Sequence, residues 1–176
     1  MNEGLSVNSI SNNWKYIKAV MRLAHSKKLH SNDDYQFFKR KNEKADTIFL
    51  DENELDAIFK LNLSGYKDKA RDYFLIGCYT GLRYDDWHLL NSSVIKNGIA
   101  SIINSKTGDR STFPIANNVM RILGKYPDGI LPKKPSNQKL NKYIKEVAKD
   151  AGINDIISKR ITLGGKLTII SKPKYE

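Results

Sequence analysis

Tyr79-Thr80-Gly81-Leu82-Arg83-Tyr84-Asp85-Asp86 lies near the middle of the 176-residue chain, and Ser105-Lys106-Thr107-Gly108-Asp109-Arg110-Ser111-Thr112-Phe113-Pro114-Ile115 follows it closely. In the first stretch, Gly81 permits a sharp turn after a helix. Arg83 and Asp86 stand three apart at the start of a short helix predicted over 84–90, so both side chains can share one side of its first turn. In the second stretch, β-prone runs over 99–104 and 111–115 flank a Gly-containing loop. That pattern predicts a hairpin with Lys106 at its mouth.

Working outward, Ile10, Trp14, Ile17, Met21 and Ala24 recur at helical spacing and predict a buried face on a helix over 9–28. The polar stretch over 29–45 shows no periodicity and predicts a linker, with a domain boundary near residue 45. Asp51 and Glu54 form a capping box ahead of Leu55, Ile58 and Phe59, starting a helix that ends near Asn62. A helix over 67–79 is expected to bury Ala70, Phe74, Gly77 and Cys78. Further amphipathic helices are predicted over 116–125 and 136–151, the second with Leu140, Tyr143, Ile144, Val147 and Ala148 inward. A second hairpin or extended arm should run over 160–163 and 166–171 through Gly164-Gly165. The fold class is therefore mainly α with a small antiparallel β-sheet, an α+β arrangement.

The chain carries 30 Lys plus Arg against 19 Asp plus Glu, a formal net charge of +11. The excess is uneven: +4 over residues 1–46, zero over 47–132 and +7 over 133–176. Basic flanks around a neutral middle suit a protein that grips a long anion from two sides, although solvated lysine faces produce the same count. With 40% hydrophobic residues the chain is rich enough to fold.

A single cysteine, Cys78, excludes an internal disulfide framework, and it reads as a small core residue. His25, His30 and His88 offer no metal-ligand spacing. No apolar run approaches the roughly 18 residues of a membrane span, and Met1-Asn2-Glu3-Gly4 carries no signal-peptide pattern. A cytoplasmic setting without membrane association is expected. Phosphate-binding glycine loops, zincin motifs and a nucleophile elbow are all missing from the sequence. What remains is Arg83 beside Asp86: a guanidinium fork suited to two phosphoryl oxygens with a carboxylate to preset its rotamer, or else a plain structural ion pair.

In their order and setting these motifs resemble the catalytic domain of the tyrosine recombinases, the phage-integrase family, in the style of mobile-element integrases of the Bacteroides group. That family has a T-G-x-R-x-x-E/D block followed by a hairpin lysine, often in a K-T-G-x-x-x-x-x-P setting. Arg83, Asp86 and Lys106 are the matching positions. The stretch from Ile10 to His25 is similar to the last helix of the core-binding domain that precedes the catalytic domain. The resemblance implies two pieces: the end of a core-binding domain plus linker over 1–45, and the first part of a catalytic domain over 46–176.

It also implies a chemistry. Arg83 would stabilise charge growing on the nonbridging phosphate oxygens, Lys106 would protonate the departing 5′ oxygen, and Asp86 would support them. A tyrosine would form a 3′-phosphotyrosyl link without metal, ATP or other cofactor. The family's His-x-x-Arg block cannot come from this stretch, because no His follows His88, and Tyr175 lies too early to be the nucleophile. Tyr126 and Tyr143 read as core residues. The chain thus resembles a fragment cut at both ends, inactive as given, of a site-specific recombinase that assembles as a homotetramer on two double-stranded DNA sites within the bacterial nucleoid.

Lys15, Lys18, Arg22, Lys27, Lys28, the run Lys39-Arg40-Lys41, and the outer lysines Lys139, Lys142, Lys145 and Lys149 are candidates for phosphate contacts. Two readings of other classes stay open. One is a non-catalytic DNA-binding module that occupies recombination sites, and the other is a basic helical interaction protein with a fortuitous T-G-L-R. The sequence also predicts exposed apolar surface near both ends.

Overall fold

The computed structural model describes residues 4–39, 41–44 and 46–176. The chain divides into two compact units: Leu50–Asn154 with Tyr175–Glu176, and Met1–Phe49 with Asp155–Lys174.

The larger unit begins with α2 (Glu52–Lys60), where Asp51 accepts from the Glu54 amide at 2.9 Å and Glu54 accepts from the Asp51 amide at 2.8 Å. This is the capping box read from the sequence; it satisfies two amides that the first turn leaves unpaired. After it, α3 (Gly65–Thr80) forms the centre of the unit, burying Ala70, Tyr73, Leu75 and Ile76. Gly77 lies so close to Trp87 that a Cβ there would sit 2.3 Å from the ring.

Cys78 is exposed, contrary to the expected core position. It lies in the last turn of α3, beyond Ile76, the last buried residue of that helix.

The hairpin forms as expected from β2 (Ile99–Ile103) and β3 (Arg110–Pro114), paired from Ile99↔Pro114 to Ile103↔Arg110. A short strand that the sequence does not announce, β1 (Ile95–Lys96), extends the sheet in the order β1-β2-β3. The helices α4 (Asn117–Leu123) and α5 (Asn137–Asp150) bury Val119, Ile122, Leu123, Leu140, Val147 and Ala148, and the lysines of α5 point outward.

A charged cluster is built into this core. Asp72 is 1% exposed and Arg71 6%. Arg71 Nε donates to Asp72 at 2.9 Å, Nη1 donates to the Leu61 carbonyl at 2.6 Å, and Nη2 pairs with Asp68. Lys125 reaches Asp72 at 2.5 Å and Asp68 at 2.9 Å, and the Tyr126 hydroxyl donates to Asp72 at 2.7 Å. Burial, reinforced by the Asp72 carboxylate, pushes the Tyr126 pKa upward. Buried ions persist only when paired and hydrogen-bonded on every side.

In the smaller unit, α1 (Val7–Ser26) is capped by Ser6, which accepts from the Ser9 amide. Its expected inner face is only partly covered: Trp14, Met21 and Ala24 are half-buried, whereas Ile10 and Ile17 are 50% and 48% exposed. Tyr16, Val20 and Leu23 add further exposed apolar surface, as expected near the N-terminus. The reason is geometric. The 3-10 turn Asp34–Gln36, with buried Tyr35 and an edge-on Trp14–Phe38 contact at 4.9 Å, is too short to cover a twenty-residue helix.

The predicted linker is therefore partly packed. Its His30 ring contacts the Met21 carbonyl at 2.9 Å, and Asn8 is bonded to both main-chain groups of Glu43.

The arm is a full hairpin, β4 (Ile156–Leu163) with β5 (Lys166–Pro173), longer at both ends than the sequence suggests. Thr162 donates its amide to Glu43 at 3.2 Å and its hydroxyl at 2.8 Å, and the Arg160 amide donates to Asp46 at 3.3 Å. These carboxylates occupy the outer edge of β4.

Candidate functional site

Gly81 closes α3 in the left-handed conformation, at φ +66°, which a residue without Cβ adopts cheaply. The chain then turns outward, Arg83 takes an extended conformation, and a 3-10 turn begins at Tyr84. Three successive carbonyls of this turn have donors. Leu82 accepts from Trp87 Nε1 at 2.7 Å, Arg83 from the Asp86 amide at 2.8 Å, and Tyr84 from Lys134 Nζ at 2.9 Å. Arg83 is thus an exposed guanidinium on a firmly held backbone.

Asp86 is 1% exposed, and its Oδ1 accepts from the Ser105 amide at 2.9 Å. That bond ties the Arg83 turn to the first residue of the hairpin loop. The loop is closed by Asn104 and Asp109, whose main chains bond at 2.9 Å, and Lys106 lies exposed within it. Asp86 therefore joins the two motifs that the sequence singled out.

Hydrogen bonding from the Ser105 amide and hydroxyl, aided by the nearby Arg83 charge, holds the Asp86 pKa below the usual carboxylate value despite its burial. Among the described residues, Asp86 Oδ2 and His30 Nδ1 are the buried side-chain polar atoms without a hydrogen-bond partner.

A carboxylate with a lowered folded-state pKa contributes stability that is present above about pH 4, its unfolded value, and lost as pH falls through the folded value. Asp86→Asn is therefore expected to flatten the acid limb of the stability profile. Urea midpoints at a series of pH values between neutrality and about pH 3 check this. Parallel profiles for the two proteins would contradict it.

Between the turn and the sheet lies an open cleft of about 420 Å³, lined by Thr80–Arg83 on one side and by Asn104, Ser111, Thr112 and Phe113 on the other. Asn104 Nδ2 donates to Ser111 Oγ at 2.9 Å, which fixes two polar groups on the wall facing Arg83. These hairpin residues were not singled out by sequence reasoning; their place in the strand register, opposite the T-G-L-R turn, was the available signal. Lys106 borders this region from its loop and does not line the cleft.

No protein-family model matches the chain, and no curated protein matches its sequence. Several solved structures resemble it. A lambda integrase tetramer bound to a Holliday junction matches at a TM-score of 0.61 and 16% identity, over 81% of this chain and 47% of that one. The fold matches that of the tyrosine recombinases. The integrase of mycobacterium phage Brujita (TM-score 0.49, 13% identity, 84% and 53% covered) and the XerA recombinase (0.47, 18%, 79% and 54%) also resemble it. The chain thus spans about half the length of the solved recombinases it matches.

The remaining predicted residues are divided between the two units. In the smaller unit, Lys15, Arg22, Lys27, Lys28, Lys39 and Lys41 are exposed, and Lys18 Nζ donates to the Gln36 carbonyl at 3.1 Å. Arg40 lies outside the described residues. In the larger unit, Lys139, Lys142, Lys145 and Lys149 are exposed along α5. Tyr143 is half-buried, stacked on Tyr66, and Tyr175 is half-buried against the core. No helix among the described residues is long and apolar enough to cross a membrane.

Lys134 is the residue that sequence reasoning missed. It lies some fifty positions from the turn it contacts, beyond the reach of any local pattern.

Proposed function

We propose that the chain is part of a DNA strand-cleaving and rejoining tyrosine recombinase of the mobile-element integrase type, with residues 1–45 from its core-binding domain and 46–176 from its catalytic domain. The observation that carries this reading is the Asp86–Ser105 hydrogen bond at 2.9 Å, which holds the Arg83 turn and the Lys106 loop beside one cleft.

The roles follow from phosphodiester chemistry. A guanidinium at the scissile phosphate strengthens its hold as charge develops on the nonbridging oxygens, so it stabilises the transition state more than the ground state. A tyrosine supplied from outside residues 1–176 attacks phosphorus. The P–O5′ bond breaks, and the leaving oxygen takes a proton from Lys106 Nζ. Asp86 keeps Arg83 and the loop in register. Exposed lysines and arginines on α1, on the stretch from Lys39 to Lys41 and on α5 contact phosphates without reading sequence. The working form is a homotetramer on two DNA sites.

A second reading is a binding module without chemistry, which the exposed lysines of α1 and α5 would serve equally well. Both readings predict that the 176-residue chain binds duplex DNA with an affinity that falls steeply as salt rises. They separate on a nicked duplex that traps the intermediate. The longer reading frame containing this chain is expected to yield a covalent protein–DNA band resistant to detergent, and the 176-residue chain none. A longer frame that binds without forming the adduct would leave the binding module standing.

A further inference from the structure

The segment Leu131–Ser136 is tied both to α3 and to the turn that follows Arg83. The Tyr73 hydroxyl donates to the Pro132 carbonyl at 2.7 Å, and the Tyr84 hydroxyl donates to the Pro135 carbonyl. Between these ties, Lys134 Nζ donates to the Tyr84 carbonyl at 2.9 Å and sits 3.8 Å from the centroid of the Tyr84 ring. It also lies 3.6 Å from the Asp85 carboxylate, with the Lys134 side chain only 19% exposed.

An ammonium at this depth is not a solvated surface charge. Its ligands are a carbonyl, an aromatic face and a carboxylate, all from the two residues that follow Arg83.

We infer that Lys134 is a positioning residue for Arg83: by holding the Tyr84 peptide from outside the turn, it fixes where the Arg83 guanidinium projects. The inference rests on the reading of Arg83 as a phosphate ligand. The turn supplies its own donors to the Leu82 and Arg83 carbonyls, through Trp87 and Asp86. The donor from Lys134 to Tyr84 comes from the segment that leads into α5, the helix that carries the outer lysines. Phosphate grip at the turn and the placement of α5 are thereby linked through one side chain.

The test is a double-mutant cycle on the 176-residue chain, read as affinity for a short double-stranded oligonucleotide over a range of salt. Arg83→Ala should weaken binding about tenfold and lower the salt slope by about one phosphate contact. Lys134→Met, which keeps the stem and removes the charge, should reproduce most of that loss, and the double variant should lose little more than either single one. Lys134→Arg, which can still donate to the carbonyl and stack on Tyr84, should restore binding.

Additive losses would mean that Lys134 touches DNA itself, and an unchanged Lys134→Met would mean that the turn holds without it; either overturns the inference. An Arg83→Ala protein that binds normally would instead remove the phosphate-ligand reading beneath it. Should Lys134→Met fail to fold, Tyr84→Phe releases the neighbouring tie to Pro135 and is expected to give a smaller loss, again without further effect in an Arg83→Ala background. An additive loss there overturns the inference as well.

Discussion

On the recombinase reading proposed above, replacing Arg83 by alanine in a longer protein containing this chain is expected to slow strand cleavage by about 100- to 1,000-fold while leaving the fold intact. The side chain is exposed on a backbone whose carbonyl bonds do not involve it, so its loss removes a charge from the cleft without removing packing. Single-turnover cleavage of a nicked duplex measures the effect directly. Arg83→Lys should recover part of the rate, because an ammonium restores the charge without the two-pronged fork that spans both nonbridging oxygens. Lys106→Ala should fall in the same range and be rescued by a substrate with a better leaving group, since its proposed task is protonation of the 5′ oxygen. A loss of less than tenfold for Arg83→Ala would contradict its assignment to the scissile phosphate.

Asp72→Ala is expected to cost about 3–5 kcal/mol of stability, the largest effect of any single side chain described. It takes from Arg71, which is 6% exposed, one of its two carboxylate partners and removes the shared acceptor of Lys125 and Tyr126. For a chain of this size the melting temperature should fall by about 10 °C or more, which scanning calorimetry reads. Asp72→Asn keeps an acceptor and should lose less. Replacing Arg71 and Asp72 together by apolar residues should recover part of the loss, because no orphaned charge is then left inside. A loss below about 1 kcal/mol for Asp72→Ala would show that the cluster relaxes and admits water.

Local chemistry made much of this molecule legible. The Asp51–Glu54 box, the stop at Gly81 and the loop with Gly108 are each encoded within a few residues, so the boundaries of α2, α3 and the β2–β3 hairpin follow from the chain itself. The inward face of α5 was equally plain, because Leu140, Val147 and Ala148 keep helical spacing. What stayed hidden depends on partners far apart in sequence. β1 is two residues long and exists because β2 offers it an edge. Asp72 and Lys125 meet across 53 residues, Lys134 and Tyr84 across 50.

Cys78 differs from its expected place because apolar character does not say where along a helix the packing stops, and burial on α3 ends at Ile76. On α1 the same limit applied: the spacing was right, but too little chain packs against the stripe to cover it. For the candidate site, the sequence singles out Arg83, Asp86 and Lys106, and only the fold shows the bond between Asp86 and Ser105 that ties the Arg83 turn to the Lys106 loop.

The carboxylates of Glu43 and Asp46 along β4 bear on how this protein behaves when concentrated. A two-stranded ribbon with Ile156, Leu167 and Ile169 on its surface is the kind of segment that seeds fibrils. Fibril growth requires each ribbon to accept a neighbour on both sides. Here the amides of Arg160 and Thr162 already have acceptors, and a strand arriving on that side would meet two negative charges where it needs carbonyls. Stacking through this arm would therefore stop at a pair, and the shelf life of purified protein would depend on keeping those two acidic residues.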